Sequence, residues 1–228
     1  LDTCTTYGTM LLWPFSDQRL AWNTISSIDP LFTLPLLLAV VLAARMRKPV
    51  LARFGLAWAV VYMGLGLVQR EAAEEMGYAL AAQRGHQPIR LEAKPSFANI
   101  LVWKTVYETE DRYYVDGVRA TLRPRVFAGN TVEKLVLDRD MPWLDPQSQQ
   151  ARDVERFRWF SNGYIARDPV YSNRVMDIRY SLLPNEIDPL WSIELKPEAA
   201  LRDHALYKTH RDGGPDRASV LWEMITGR

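Results

Sequence analysis

The stretch that decides the fold is DPLFTLPLLLAVVLAARMRKPVLARFGLAWAVVYMGLGLVQR, residues 29 to 70. It holds two uncharged cores, Leu31 to Ala44 and Phe54 to Val68, on either side of a basic corner. A helix needs about 20 predominantly apolar residues to cross a bilayer. Neither core is that long, but each reaches it by placing one charge near the interface, Asp29 for the first and Arg53 for the second. The pattern predicts a transmembrane helical hairpin over residues 30–69, with a soluble hairpin buried in a large core as the alternative. On either reading Asp29-Pro30 is a helix start, because Asp accepts from free N–H groups at the N-cap and Pro suits the first helical position. Pro35 is expected to kink that helix.

Whole-chain averages conceal this segment. A chain that is 48% hydrophobic and 24% charged is composed like an ordinary soluble protein, because most acids and bases fall after Gln69. The formal charge of +1 argues against a nucleic-acid partner, which calls for a basic domain or stripe. The lone Cys4 excludes an internal disulfide framework and a cysteine-based zinc site. Within the corner, Arg45, Arg47, Lys48 and Arg53 stand without an acid, and short basic loops stay cytoplasmic. Residues 1–29 and the large C-terminal region are therefore expected on the other side, with the lipid bilayer as a partner.

Beyond the second core, QREAAEEMGYALAAQR (residues 69–84) continues as an amphipathic helix to Gly85, with the segment 70–94 read as helical extension and linker. Then the hydrophobic period changes. NILVWKTVYETEDRYYVDGVRATL (99–122) reads as two strands joined near Glu110 and Asp111. RVMDIRYSLLP (174–184) and PLWSIEL (189–195) read as a second pair. Between the pairs, residues 148–163 have helical spacing with Gly163 as a stop. RDGGPD (211–216) is read as a turn before a last short helix. The fold class is thus a transmembrane α-helical hairpin followed by a small soluble α+β domain with an antiparallel sheet, the domain spanning 95–228. Trp103, Tyr107, Trp159, Phe160, Tyr180 and Trp191 are assigned to its core, with a place at the membrane interface as the alternative for a few of them. His86, His204 and His210 have no ligand spacing and are read as solvated.

The opening segment, LDTCTTYGTMLLWPFSDQR, carries a more specific signal. Asp2, Thr5 or Thr6, Gly8, the run Leu11–Ser16 and Arg19, followed by Asp29-Pro30 and the apolar hairpin, resemble the YdjM-like family of bacterial membrane-bound metal-dependent hydrolases. AKPSFANILVW, RFRWFSNGYIARDP and MDIRYSLLP resemble the C-terminal region of its longer members. The resemblance implies an integral inner-membrane enzyme in which Asp2 is an oxygen ligand of a divalent metal ion, zinc being one candidate. Family members place a His four residues before that Asp, on the same helix face. They supply further ligands from upstream motifs of the type PDxD and HRxxTHS. This chain is therefore expected to contribute one ligand to a site completed by residues before Leu1, and by itself to be inactive. The implied chemistry is hydrolysis, with phosphoester or lipid-like substrates.

Each of these residues has a plainer reading. Asp2 can simply hydrogen-bond a turn. Thr5 and Thr6 can orient the metal ligand or satisfy local backbone groups. Arg156, Arg158, Asp177 and Arg179 can form an anion-binding cluster or alternate along a solvated face. A non-catalytic, membrane-anchored extracytoplasmic binding domain is the competing function.

Overall fold

The computed structural model describes residues 2–121, 123–212 and 214–227. Gly213, inside the turn expected near the C-terminus, lies outside them. The first helix, α1 (Pro30–Met46), starts where the sequence says it should: Asp29 Oδ1 accepts from the backbone N–H groups of Leu31 and Phe32. Pro35 lies inside it. Arg47, at φ 54°, closes α1, and the chain reverses at once into α2 (Pro49–Gln83). The basic corner is therefore only two residues wide, and Arg53 sits in the first turns of α2 rather than in a loop. The Tyr62 hydroxyl donates to the second oxygen of Asp29 at 2.8 Å, clipping the start of α1 to the middle of α2.

The two helices differ in reach. At 1.5 Å per residue, the 35 residues of α2 extend about 50 Å, and α2 is the one helix among the described residues long and apolar enough to cross a membrane. The 17 residues of α1 extend about 25 Å, short of a ~30 Å hydrocarbon core. Both helices leave large apolar side chains exposed, among them Leu34, Leu37 and Val41 on α1 and Phe54, Val60 and Leu65 on α2. A contiguous apolar surface of that kind is rare on a water-soluble monomer and marks an interface with lipid or protein.

The upper part of α2 packs on the domain and is part of it. Ala73 and Ala81 are fully buried, and a Cβ on Gly77 would stand 2.9 Å from Leu91, so a close approach of helix to sheet fixes glycine there. The sheet it covers is antiparallel. Strands β1 (Arg90–Pro95), β2 (Val102–Glu108), β3 (Arg112–Arg119) and β4 (Arg125–Phe127) lie in that order, and β5 (Thr131–Glu133) pairs with β3. The sheet thus begins at Arg90, within the segment expected to be linker. Central strand β2 is buried along its whole length. Its Trp103, Thr105 and Tyr107 side faces α2, while Val106 packs with Val115, with Tyr164 just before the second sheet and with Met176 within it.

That second sheet, also antiparallel, is β6 (Ile165–Arg167), β7 (Arg174–Asp177), β8 (Trp191–Glu194) and β9 (Leu206–Thr209). The short turn α3 (Leu137–Asp140) precedes it, and α4 (Gln149–Phe160), capped by Ser148, packs Val154 and Phe157 onto it. A last helix, α5 (Gly214–Thr226), reaches the core through Met224. The domain therefore contains two antiparallel sheets where the sequence suggested one. Trp159 departs from its expected place in the core: it projects from α4 and is 54% exposed, because Val154 and Phe157 already occupy the inward side of that helix.

Candidate functional site

Residues 2–29 form a folded flap rather than a tail. A short 3-10 turn, Asp2–Cys4, is followed by a bridge between Thr9 and Leu20, and the returning strand of the flap bonds back through Trp22 N to Thr3 O and Thr24 N to Cys4 O. The flap rests on α2 where Gly66 leaves room: a Cβ there would lie only 2.2 Å from the Thr24 carbonyl oxygen. Arg70 then donates to the Trp22 carbonyl at 2.7 Å. On its other side the flap meets the domain, where the Tyr180 hydroxyl donates to Thr6 O at 2.6 Å and Tyr7 stacks on the Tyr180 ring.

Two cavities open along this seam. The larger, about 460 Å³, lies between the flap, the upper turns of α2, strand β1 and the end of α4. Several of its charges are paired. Glu92 and Lys94, on one face of β1, meet at 2.8 Å, and Lys94 also donates to Asn23 Oδ1. Burial alone would raise the Glu92 pKa, but Lys94, with help from Arg179 and Arg90, outweighs it and holds the carboxyl below its ordinary range. Arg70 is 3.7 Å from Glu74. Arg19 spreads over the Trp159 and Phe160 rings, 5.6 and 5.4 Å from their centroids, and donates to Tyr7 O.

The smaller cavity, about 270 Å³, shares Thr6, Tyr7, Lys94 and Arg179 with the first and is lined elsewhere by Phe97, Leu190 and Lys104. Arg179 separates the two. It is 6% exposed and bound to the fully buried Asp177, which also accepts from Trp191 Nε1. A buried, bidentate Arg–carboxylate pair with an added donor is a satisfied structural brace.

The residues singled out by sequence do not converge on one centre. Asp2 is exposed and lines neither cavity; its backbone carbonyl accepts from the Thr5 N–H and from the Thr5 hydroxyl at 2.7 Å. Thr5 thus closes the 3-10 turn, while Thr6 is buried at the seam. The four charges proposed as an anion cluster are dispersed. Asp177 and Arg179 brace each other, Arg158 pairs with Glu155 along α4, and Arg156 lines a separate hollow beside His204. Among the described residues no group of three or more His, Cys, Asp or Glu could hold a metal ion.

Sequence reasoning missed Lys104, Glu92 and Lys94. The one available signal was a lysine in the middle of VWKTVY, a central-strand pattern in which a cation is expensive unless it has a role.

Residues 1–73 match the model of the YdjM inner membrane protein family. No curated protein and no solved structure matches the chain.

Proposed function

We propose, from the premise that residues 1–73 make this a YdjM-like inner membrane protein, that the chain belongs to a membrane-bound hydrolase working at the extracytoplasmic membrane surface. In this reading α1 and α2 both cross the bilayer, the Arg45 to Arg53 corner is cytoplasmic, and the flap and domain lie outside. The apolar exposed sides of both helices support the hairpin, with α1 accommodated by local thinning or by the polar residues that flank it. The observation that carries the hydrolase reading is the flap itself. The segment bearing Asp2, Gly8 and Arg19 falls within the family match and is built into a cavity of substrate size rather than left free.

The residues of this chain do not by themselves fit a metal, since Asp2 stands as a single exposed carboxylate. The proposal therefore assigns it one ligand position, with the His and Asp ligands implied by the resemblance coming from upstream sequence. A divalent ion so held would supply a nucleophile from bound water at neutral pH. The residues lining the larger cavity, Arg19, Lys94 and Asn162, would orient a phosphoester or lipid-like substrate.

Asp2→Asn tests the assignment, because it keeps shape and hydrogen bonding while removing charge. Asn and Asp are nearly equivalent at turns and caps. In the full-length protein purified in detergent, elemental analysis should show a substantial loss of bound metal in Asp2→Asn and none in Asp29→Asn. Wild-type metal content in Asp2→Asn would remove the ligand role.

A further inference from the structure

The smaller cavity differs from the larger in one respect that the family reading does not use. Four cations line it, Lys94, Lys104, Arg179 and Arg211, and no carboxylate does. Two of the four are neutralised from behind, Lys94 by Glu92 and Arg179 by Asp177. Lys104 and Arg211 have no ion pair among the described residues. Lys104 is 4% exposed, and its Nζ donates only to neutral oxygens, Ser181 Oγ and the Glu186 carbonyl, both at 2.7 Å. A buried cation without a counter-charge is among the costlier arrangements in a protein, and it persists where a role requires it.

Strand register explains how Lys104 came there. Side chains alternate across a sheet, so Lys104 falls on the same side of β2 as Val102 and Val106, facing the second sheet. Ser181 does not make it a nucleophile–base pair, since its hydroxyl donates to Leu183 O at 2.5 Å and accepts from the lysine. The ammonium is held, not used to activate a neighbour.

The remaining wall is apolar, with Ile28, Phe97, Leu182 and Leu190. Ile28 is 62% exposed and lies directly before the start of α1, so the mouth of the cavity is at the point where the hairpin leaves the domain. Cation at the inner end, hydrocarbon along the wall and an opening beside the apolar helices describe an amphiphile. We propose that this cavity binds an anionic membrane phospholipid, its phosphate between Lys104 and Arg211 and the start of its acyl chain along Phe97 and Leu190. At 270 Å³ it accommodates a headgroup and the first carbons, leaving the rest of the chain in the bilayer.

Without an anion, burial draws the Lys104 pKa down to about 7, against the opposing fields of Asp177, Glu186 and Asp188; nearby Lys94 adds to the lowering. A phosphate at the site supplies the missing counter-charge and keeps the lysine protonated.

The test uses the full chain in an uncharged detergent, offered equal amounts of phosphatidylglycerol and phosphatidylcholine, with retained lipid counted by native mass spectrometry. One phosphatidylglycerol per chain should be retained, preferred by about tenfold, the worth of one charge-assisted contact. Lys104→Met should reduce that preference by a similar factor, and so should Arg211→Gln, which lies at the exposed rim and leaves the core intact if Lys104→Met fails to fold. Equal retention of the two lipids, or an unchanged preference in Arg211→Gln, overturns the proposal. So does complete displacement of the lipid by millimolar inorganic phosphate, which would make this a free-anion site. Asp2 lines neither cavity, so Asp2→Asn should leave lipid retention unchanged, and failure here is separable from failure of the metal-ligand assignment.

Discussion

The lower and upper halves of α2 make an instructive pair. Along the whole helix the buried side is built mainly from small residues, with Gly55, Ala59 and Gly66 below and Ala73, Gly77 and Ala81 above, and Tyr62 is the large exception. That side packs first on α1 and the flap, then on the first sheet, without a break in character. The opposite side changes abruptly. Below Gln69 it is Phe54, Leu56, Val60, Val61 and Leu65; above it, it carries Glu71 and Glu75. The buried face of a helix reports what it packs against, and only the outer face reports its solvent. On the proposed topology, this one helix passes between two solvents near residue 69.

The largest expected effect breaks or confirms that division directly. A reporter fused after Lys48 should be cytoplasmic and one fused after Gly85 extracytoplasmic. Equal cytoplasmic signals from both would mean that α2 does not cross, and its outer face would then need a protein cover instead of lipid.

Next in size is the contrast between an aromatic side chain packed beneath the upper half and one on the outer side of the lower half. Trp103 is fully buried beneath the upper half of α2, with its indole N–H donating to Ile100 O at 2.9 Å. Trp103→Ala should cost about 3–5 kcal/mol in denaturant unfolding of the detergent-solubilised chain. Phe54→Ala, on the outward side of the lower half, should cost under about 1 kcal/mol there, because detergent covers the ring in both the folded and the unfolded state. Similar losses in the two would show that Phe54 also faces protein.

How much of this was legible in the sequence depends on how local the cause is. The cap at Asp29, the end of α2 before Gly85 and the β2–β3 hairpin were readable, because each rests on neighbours along the chain: a side chain bonding its own helix start, a glycine at φ 74°, an alternating pair around a turn. Strands β4, β5 and β6 were not. Each is three residues long and owes its conformation to the strand it meets, as Thr131–Glu133 does to Arg112–Tyr114. The site was read least well for the same reason. Lys104 lies 77 residues from Ser181 in sequence, and the flap reaches Tyr180 across 174 residues. No local pattern carries such separations.

A third prediction sharpens the charge side of the comparison. Folded Lys104 titrates near pH 7 and an unfolded lysine near its ordinary 10.5, so between those values the unfolded chain holds a proton that the folded chain lacks. Stability should therefore rise with pH across that window and be insensitive to this group below it. Between about pH 7 and pH 9 the wild type should gain on the order of 2 kcal/mol relative to Lys104→Met, measured lipid-free in an uncharged detergent. The Asp177, Glu186, Asp188 and Lys94 side chains that face Lys104 are present in both proteins, so the difference reports the titration of Lys104 in their field. A flat difference would mean that Lys104 keeps its proton through a counter-charge already in place.

The smallest effect is expected at Trp159, and it tests whether the two tryptophans were rightly separated. Sequence spacing assigns both to a core, yet Trp159 is half exposed at the rim of the larger cavity, on the far side of α4 from Val154 and Phe157. Truncating it removes little buried area. What it does remove is one of two rings under the Arg19 guanidinium, an interaction worth about 0.5–1 kcal/mol at an exposed site. Arg19 keeps the Phe160 ring and its 2.7 Å bond to Tyr7 O, so even that loss is partial. Trp159→Ala should accordingly cost less than about 1 kcal/mol. In a double-mutant cycle with Arg19→Ala, most of that cost should appear as coupling between the two residues. A loss approaching that of Trp103→Ala would put the indole inside the domain. A small loss with no coupling to Arg19 would leave Trp159 as exposed rim, free to meet whatever enters the larger cavity.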